Sequence, residues 1–542
     1  RNVGGKPYIG NNYALYFYGN DNWKITRNLT LNLGLRYEYT TVARSMQEFA
    51  LNSISDVPGV LTFFAPKPQK KNFAPRIGFA YTPGTSARTT IRGGFGMAYD
   101  QIFDNVGTNS RPPQATSTFD AQLGGTTPGG FLATGAIKPT TQTTGLTATT
   151  ARNQTSSWLP DQKVGYTINW NLGIQRVFGN DYTAEIRYLG NRGVHLLFQR
   201  QINRIAIVTA NHNLPTFFQA PSAATLNGLN LSYQDLINER NARGNILAPT
   251  FPLNITAYEP VGNSEYHGMA LEVNKRFSSG MLFKGAYTWS HLMDDSTAEV
   301  FSTVLSPRRP EDFFDIRKEW ASSALDHRHR FSLAWVYQVP WFKNRSSILR
   351  NVVGNWQISG TYIAESPQFV TVQSTVDSNL NGDAAADRSV INIGGTPGTS
   401  SDVTPVCNAG LLAGRVCSTT AAPNAVVGYV ANDPNAYYVR AQVGAYTTGG
   451  RNTLSTPIIN NFDLSLAKIV SVGENKKFEI RGDFYNAFNH PQYTAGRINR
   501  VDSTSRTATP TFLQPGHADF GKFDRVWSSN PRQVQLTAKF TF

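Results

Sequence analysis

The sequence predicts an all-β fold: antiparallel strands closed into a barrel that crosses a bilayer, with short turns on one rim and long loops on the other. Three observations lead there. Apolar and polar residues alternate in many separate runs, short and long connections alternate between those runs, and aromatic residues gather at the ends of the runs. Composition agrees. Of 542 residues, 16% are charged and 12% aromatic, with Gly 46, Tyr 23 and Phe 32. That aromatic supply is too rich for a disordered chain, and a helical bundle would carry Ala, Leu, Glu and Lys instead. No stretch approaches about 18 consecutive apolar residues, which excludes a membrane-spanning helix.

The clearest strand is Leu29-Thr30-Leu31-Asn32-Leu33-Gly34-Leu35-Arg36-Tyr37-Glu38-Tyr39, apolar at every odd position and polar or Gly at every even one. A period of two means one apolar face and one wet face. Its length is that of a tilted strand crossing a bilayer, about 9–11 residues. An opening strand at Tyr13 to Phe17 precedes it. Ile77, Phe79 and Tyr81 follow, then Ile91, Phe95, Met97 and Tyr99. Trp170, Leu172 and Ile174 lead through a turn to Tyr182, Ala184, Ile186 and Tyr188. Met269, Leu271 and Val273 precede Phe283, Tyr287 and Trp289. Phe331 to Val339, Trp356 to Tyr362, Phe462 to Leu466, Phe478 to Phe484 and Val534 to Phe542 complete the set. These runs amount to about thirteen strands.

Connections carry further information. Short turns fall near Asn20–Asn28, Pro83–Arg88, Gly179–Asp181, Ser278–Gly280, Lys343–Val352 and Ser471–Lys476. Long polar stretches lie near 41–72, 101–162, 191–265, 291–326, 375–456 and 490–529. A soluble sandwich has no reason to keep such a rhythm, whereas an outer-membrane barrel has tight periplasmic turns and long external loops. Under that sidedness Tyr37, Tyr39, Tyr99, Tyr188, Trp289 and Phe331 lie near the outer interface, and Tyr81, Phe178, Phe277, Trp341 and Trp356 near the inner one. Two aromatic girdles suit the two interfaces. Glu185, Arg187, Glu272, Arg276, Glu479, Arg481 and Asp483 fall on the other face, where a wet lumen accepts charge. Counting back from Phe542, the first strand descends from outside, with Arg1 to Gly10 as the tail of an external loop. Single-chain bacterial barrels have even strand numbers. The expectation is a barrel whose front lies upstream of Arg1, in the outer membrane of a Gram-negative bacterium.

Several segments resemble one family. NNYALYFYGNDNWKITRNLTLNLGLRYEY, NFAPRIGFAYTP with TTIRGGFGMAYD, and WNLGIQRVFGNDYTAEIRYLGNRGVHL are similar to the barrel of Oar-like TonB-dependent outer-membrane receptors. YHGMALEVNKRFSSGMLFKGAYTWSHLMDD, DHRHRFSLAWVYQVPW and FEIRGDFYNAFNHPQY continue the resemblance in the family's order. It implies that residues 1–542 are the C-terminal portion of a 22-stranded receptor barrel. It also implies an upstream plug and a periplasmic segment that engages the TonB complex. Energised uptake of a scarce ligand would follow from the same resemblance.

The net charge of +14, from 50 Lys+Arg against 36 Asp+Glu, raises nucleic acid as a partner. Its distribution speaks against that: basic residues are scattered, and KKNFAPR near Lys70 is the densest cluster. An anionic surface remains open. No nucleophile elbow, phosphate loop or His-Glu-x-x-His motif occurs, so catalysis has no support. Gly-rich Arg92 to Gly96 reads as a strand eased into curvature. In Asp326-His327-Arg328-His329-Arg330 two histidines share a strand face, a metal pair in one reading and part of a basic collar in the favoured one. Arg328 and Arg330 are then candidates for lipopolysaccharide phosphates.

Two features belong to the loop between Thr375 and Thr456. Cys407 and Cys417 are close enough in sequence to bridge in an oxidising compartment, the alternative being two free thiols. Asp377-Ser-Asn379-Leu-Asn381-Gly382-Asp383 places oxygen side chains at alternating positions with Gly at the sixth, as in the first half of a calcium loop. Position twelve is Arg388, where that loop needs a bidentate acid, and the neighbouring acid is Asp387. The other reading is an Asn/Asp/Gly turn that holds no ion. No other cofactor is expected.

Three functional classes stand: a transporter barrel for a siderophore, oligosaccharide or peptide, a structural or adhesive surface barrel, and a soluble basic β-protein that binds nucleic acid. The last strand, with Phe540 and Phe542 at its end, resembles the signal read by the barrel-assembly machinery. Leu536, on the same face as Phe540 and Phe542, is expected near the bilayer midplane. Leu536→Arg should cost about 2–4 kcal/mol. Assembly yield and heat resistance of the variant measure it, and parental behaviour would mean that Leu536 does not face lipid.

Overall fold

The computed structural model describes residues 2–3, 9–44, 53–101, 117–118, 147–158, 161, 163–297, 307, 309–342, 346–472, 476–493, 511–526 and 529–542. A single antiparallel path of thirteen strands carries the fold. In chain order these are β1 (Ala14–Lys24), β2 (Leu29–Thr40), β3 (Phe73–Tyr81), β4 (Thr89–Tyr99) and β5 (Tyr166–Phe178). Next come β6 (Tyr182–Gln201), β7 (Thr256–Ser278), β8 (Met281–Asp294) and β9 (His329–Gln338). β10 (Trp356–Glu365), β11 (Ile459–Val472), β12 (Lys476–Tyr485) and β13 (Gln533–Thr541) complete the wall. Every strand pairs with its predecessor, and among the described residues β1 and β13 are each paired along one edge.

The register explains why these runs assemble side by side. Leu33 faces Ile77, Ile77 faces Phe95, and Phe95 faces Trp170. Ile186 continues the row from Ile174 to Leu271, which meets Tyr287. Phe283 meets Trp335, Tyr362 meets Phe462, and Phe484 meets Val534. Apolar residues therefore stay on one face across all thirteen strands, since a slip of one residue would exchange the two faces. Glycines stand beside large rings on that face: Gly360 lies between Trp335 and Leu464. Val534, Leu536, Phe540 and Phe542 share the apolar side of the last strand, and Leu536 is 79% exposed.

Three strands run well beyond their predicted ends. β1 continues to Lys24 because Asn20 and Asn22 take ladder partners, Gly34 and Asn32, so the turn is 25–28. The GNDN segment carries turn-forming residues, and its pairing overrides their local preference. β6 and β7 extend ten residues or so into the stretch near 191–265, meeting at Gln201 and Thr256 across irregularities at Pro260 and Gly262. That part of the hairpin lacks apolar alternation, having no hydrocarbon to face. Most of the stretch near 101–162, parts of those near 41–72, 291–326 and 490–529, and most of Arg1 to Gly10 lie outside the described residues.

The long connections are not loose coil. Leu214, Leu236, Tyr429 and Val439 are buried together with Ile207 and Ala445. A second core joins Ala324, Val370, Val372, Tyr438, Phe512 and Leu513. The helix Tyr233–Arg243 enters the first core through Leu236, and its start is fixed by Ser232 and Asp235, which cap each other's backbone N–H. Val403–Cys407 pairs with Val426–Ala431, to which Thr216–Phe217 adds in parallel. Cys407 and Cys417 are disulfide-bonded, with Cα atoms 5.8 Å apart. These pieces make one folded body at the long-loop end of the wall.

A Cβ on Gly360 would stand 2.6 Å from the Asp463 carbonyl oxygen and as close to the Trp335 ring. Gly360→Ala should therefore destabilise the wall by about 1–3 kcal/mol through overpacking. A lower unfolding temperature in detergent is the expected reading, and an unchanged one would mean that the two strands yield freely.

Candidate functional site

The polar face of the wall carries charge in short-range pairs. Arg36 meets Glu38 at 3.1 Å, Lys284 meets Glu272 at 3.1 Å, and Arg330 meets Glu365 at 2.8 Å. Arg481 reaches Asp483 at 3.0 Å and Glu479 at 3.7 Å, while Arg187 and Glu185 are 3.9 Å apart. Thus Glu185, Arg187, Glu272, Glu479, Arg481 and Asp483 share the polar face, as their parity requires. Arg276 has the parity of Glu272 and lies at the short-turn rim, where its backbone N–H bonds the Asp181 carbonyl.

The segment Asp326–Arg330 enters β9 with its charges paired. Arg330 has the parity of Ser332, lies on the polar face and is held by Glu365, while Arg328 pairs with Asp326 at 3.4 Å. Both guanidinium groups thus have a carboxylate partner within the chain. His329 shares Nδ1 with the Tyr287 hydroxyl at 2.8 Å, and His327 Nδ1 contacts the Ser366 carbonyl at 3.0 Å. Among the described residues no three His, Cys, Asp or Glu side chains gather in metal-binding geometry.

Parity misses two lysines. Lys275 and Lys468 sit on the apolar face, facing Tyr182 and Trp356 across the ladder. Lys275 Nζ donates to Ser278 O at 2.8 Å, Ser278 Oγ at 2.7 Å and Met281 O at 3.0 Å. Lys468 Nζ donates to the Val352 and Gly354 carbonyls and lies 5.1 Å from the Trp356 ring centroid. Both lie at the short-turn rim, where a lysine can keep its head among carbonyls while its stem stays apolar.

The loop body holds a second charged network, with no trace in the local pattern. Arg451 is almost wholly buried, pairs with Asp294 and donates to Glu319 O at 2.8 Å. Arg388 binds Glu319 and lies 3.9 Å from Glu311, whose carboxylate also accepts from Thr447 Oγ1 at 2.7 Å. Burial alone pulls the Arg388 guanidinium down, but Glu319 and Glu311 outweigh it and hold it above its ordinary value. Arg309 grips Asp383 with two bonds.

Beside this network the segment Asp377–Asp387 is folded back on itself. Asp377 Oδ2 accepts from Gly382 N at 2.9 Å, Asn379 Oδ1 from Asn381 N at 2.9 Å, and Asn381 Oδ1 from Asp383 N at 2.9 Å. Asp387 Oδ2 accepts from Ser378 N at 2.5 Å. Burial, reinforced by Glu311 and Asp377, pushes the Asp387 carboxyl well up.

A family model described as outer membrane beta barrel domain matches residues 2–535. The chain belongs to that family. It is a family of outer-membrane barrels and not of enzymes, so the short-turn rim is periplasmic and the loop body external. Among solved structures, the outer membrane transporter YddB from Escherichia coli is 10% identical, with a TM-score of 0.40 over 98% of this chain and 45% of its own. The ferripyoverdine receptor of the outer membrane of Pseudomonas aeruginosa gives 10% identity and 0.41 over 98% and 39%. The ferric enterobactin receptor PfeA of Pseudomonas aeruginosa gives 9% and 0.41 over 98% and 45%. The chain spans less than half the length of these structures. No curated protein matches it.

In this outer-membrane barrel Arg451 joins the end of β8 to the external body. Arg451→Met would leave Asp294 buried without its cation, while Glu319 keeps Arg388, a loss of about 3–5 kcal/mol. Trypsin should then cut the external loops of folded protein in detergent while the wall keeps its heat resistance. Equal protection in variant and parent would mean that other contacts hold the body.

Proposed function

We propose that the chain is the C-terminal part of the barrel of an Oar-like TonB-dependent receptor, one that takes up a scarce siderophore, oligosaccharide or peptide. The observation that carries this reading is a polar wall face lined by paired charges, which ends at a folded body over the external mouth. Such a face suits a water-filled or plugged lumen, and a rigid body at its mouth offers a fixed surface for an incoming ligand. The resemblance of the six segments to that family supports a 22-stranded barrel with a plug and a TonB-contacting segment upstream. Lipid and lipopolysaccharide surround the wall in this reading, and the barrel-assembly machinery reads β13 with Phe540 and Phe542. A second reading, a structural or adhesive surface barrel, draws on the same loop body, which has buried cores of its own.

Deletion of the gene and its return on a plasmid separate the two. Growth is compared on ferric siderophores, oligosaccharides and peptides as limiting sources, in cells with and without TonB. A transporter gives a deficit on one class, repaired only where TonB is intact. Full growth on every source, with loss of surface adhesion instead, would replace uptake by the adhesive reading.

A further inference from the structure

The network around Arg309, Arg388 and Arg451 neutralises Asp383, Glu311, Glu319 and Asp294. Asp377 and Asp387 are left over, with no ion pair for either among the described residues. Arg204 and Arg240 influence Asp377 only from a distance. Each of the two carboxylates uses Oδ2 to accept a backbone N–H and leaves Oδ1 buried without a partner. The Ser378 hydroxyl oxygen between them is buried and unpartnered as well. Asp387 is 0% exposed, and the carboxylates of Glu311, Asp377 and Asp383 are all near enough to act on it. A fully buried acid among other acids, with an oxygen that bonds nothing, either keeps its own proton or meets a cation, and the unpartnered oxygens gathered beside it favour the cation.

The surrounding atoms specify which species. Asn379 Nδ2 and Asn381 Nδ2 both donate to the Glu311 carbonyl, at 2.7 and 2.8 Å. That anchorage settles which end of each amide is nitrogen and leaves both Oδ1 atoms on the side of the folded segment. The available donors are thus two carboxylates, two amide oxygens and a hydroxyl, with no nitrogen or sulfur among them. An all-oxygen set at alternating positions suits a hard, large cation of flexible coordination. Arg388, at the position where the sequence motif breaks, turns away to Glu319. Asp387, one residue earlier, supplies the closing acid. We propose that Asp377, Asn379, Asn381 and Asp387 bind one calcium ion, which ties this segment into the external body.

The full chain in detergent, stripped with chelator, is titrated with calcium chloride in a calorimeter. One ion per chain is expected, in the range of extracellular sites at about 0.1–1 mM. Asp387→Asn and Asp377→Asn should each weaken binding by about tenfold or more, while Asp433→Asn, an exposed acid of the same loop, leaves it unchanged. Millimolar calcium should also slow proteolysis of the unmutated chain between Asn379 and Asp387, a readout that needs no variant to fold. No binding heat together with identical cleavage in calcium and chelator overturns the site. So does parental affinity in both acid variants.

Discussion

A strand crossing hydrocarbon cannot leave a backbone N–H or C=O unpaired, because no water is present to take its place. In this wall each strand between β1 and β13 satisfies both edges with its chain neighbours. Sheet order therefore equals chain order, and hairpins on one rim stay short while the other rim is free to lengthen. The same ladder fixes parity. Once Leu33 is opposite Ile77, Arg36 and Arg76 must point to the other side, and the agreement carries through to Phe484 and Val534. Charge in the lumen, aromatic rings at the interfaces and the position of the external body all follow from that one requirement. The exceptions keep to it. Lys275 and Lys468 sit on the lipid side only where turn carbonyls are there to receive them.

The external body is built on different physics. Its cores are small and separated, and guanidinium groups buried among carboxylates bridge them. Such pairs add little net stability over apolar packing, but breaking one leaves an uncompensated buried charge. They therefore select one arrangement of the loops more than they strengthen it. Arg451 is central to this: it contacts the end of a wall strand through Asp294 and a loop segment through Glu319, so the mouth of the barrel and its cover share one set of bonds.

The wall was legible in the sequence because a strand's environment repeats every second residue. Thirteen runs of alternation correspond to thirteen strands, and the disulfide-bonded pair Cys407–Cys417 spans only 10 residues. What could not be read was what has no period. Arg451 and Asp294 are 157 positions apart, and nothing near either one signals the other. The extension of β1 through Asn20 and Asn22 was hidden by residues that prefer turns, and the tall β6–β7 hairpin by the lack of a second solvent to alternate against. Parity also places Arg330 with Ser332 on the polar face, beside Glu365.

The second core of the external body has an order in time as well as in space. Phe512, Leu513 and Phe523 lie between β12 and β13, yet they pack on Ala324, Val370, Val372, Tyr438 and Leu454. Gln373 donates its backbone N–H to Leu513, and Gly516 donates to Ser400. Contacts between such distant parts of a chain form only after the intervening chain has been gathered in. The second core therefore cannot finish packing until residues 511–526, the connection just before β13, have joined it.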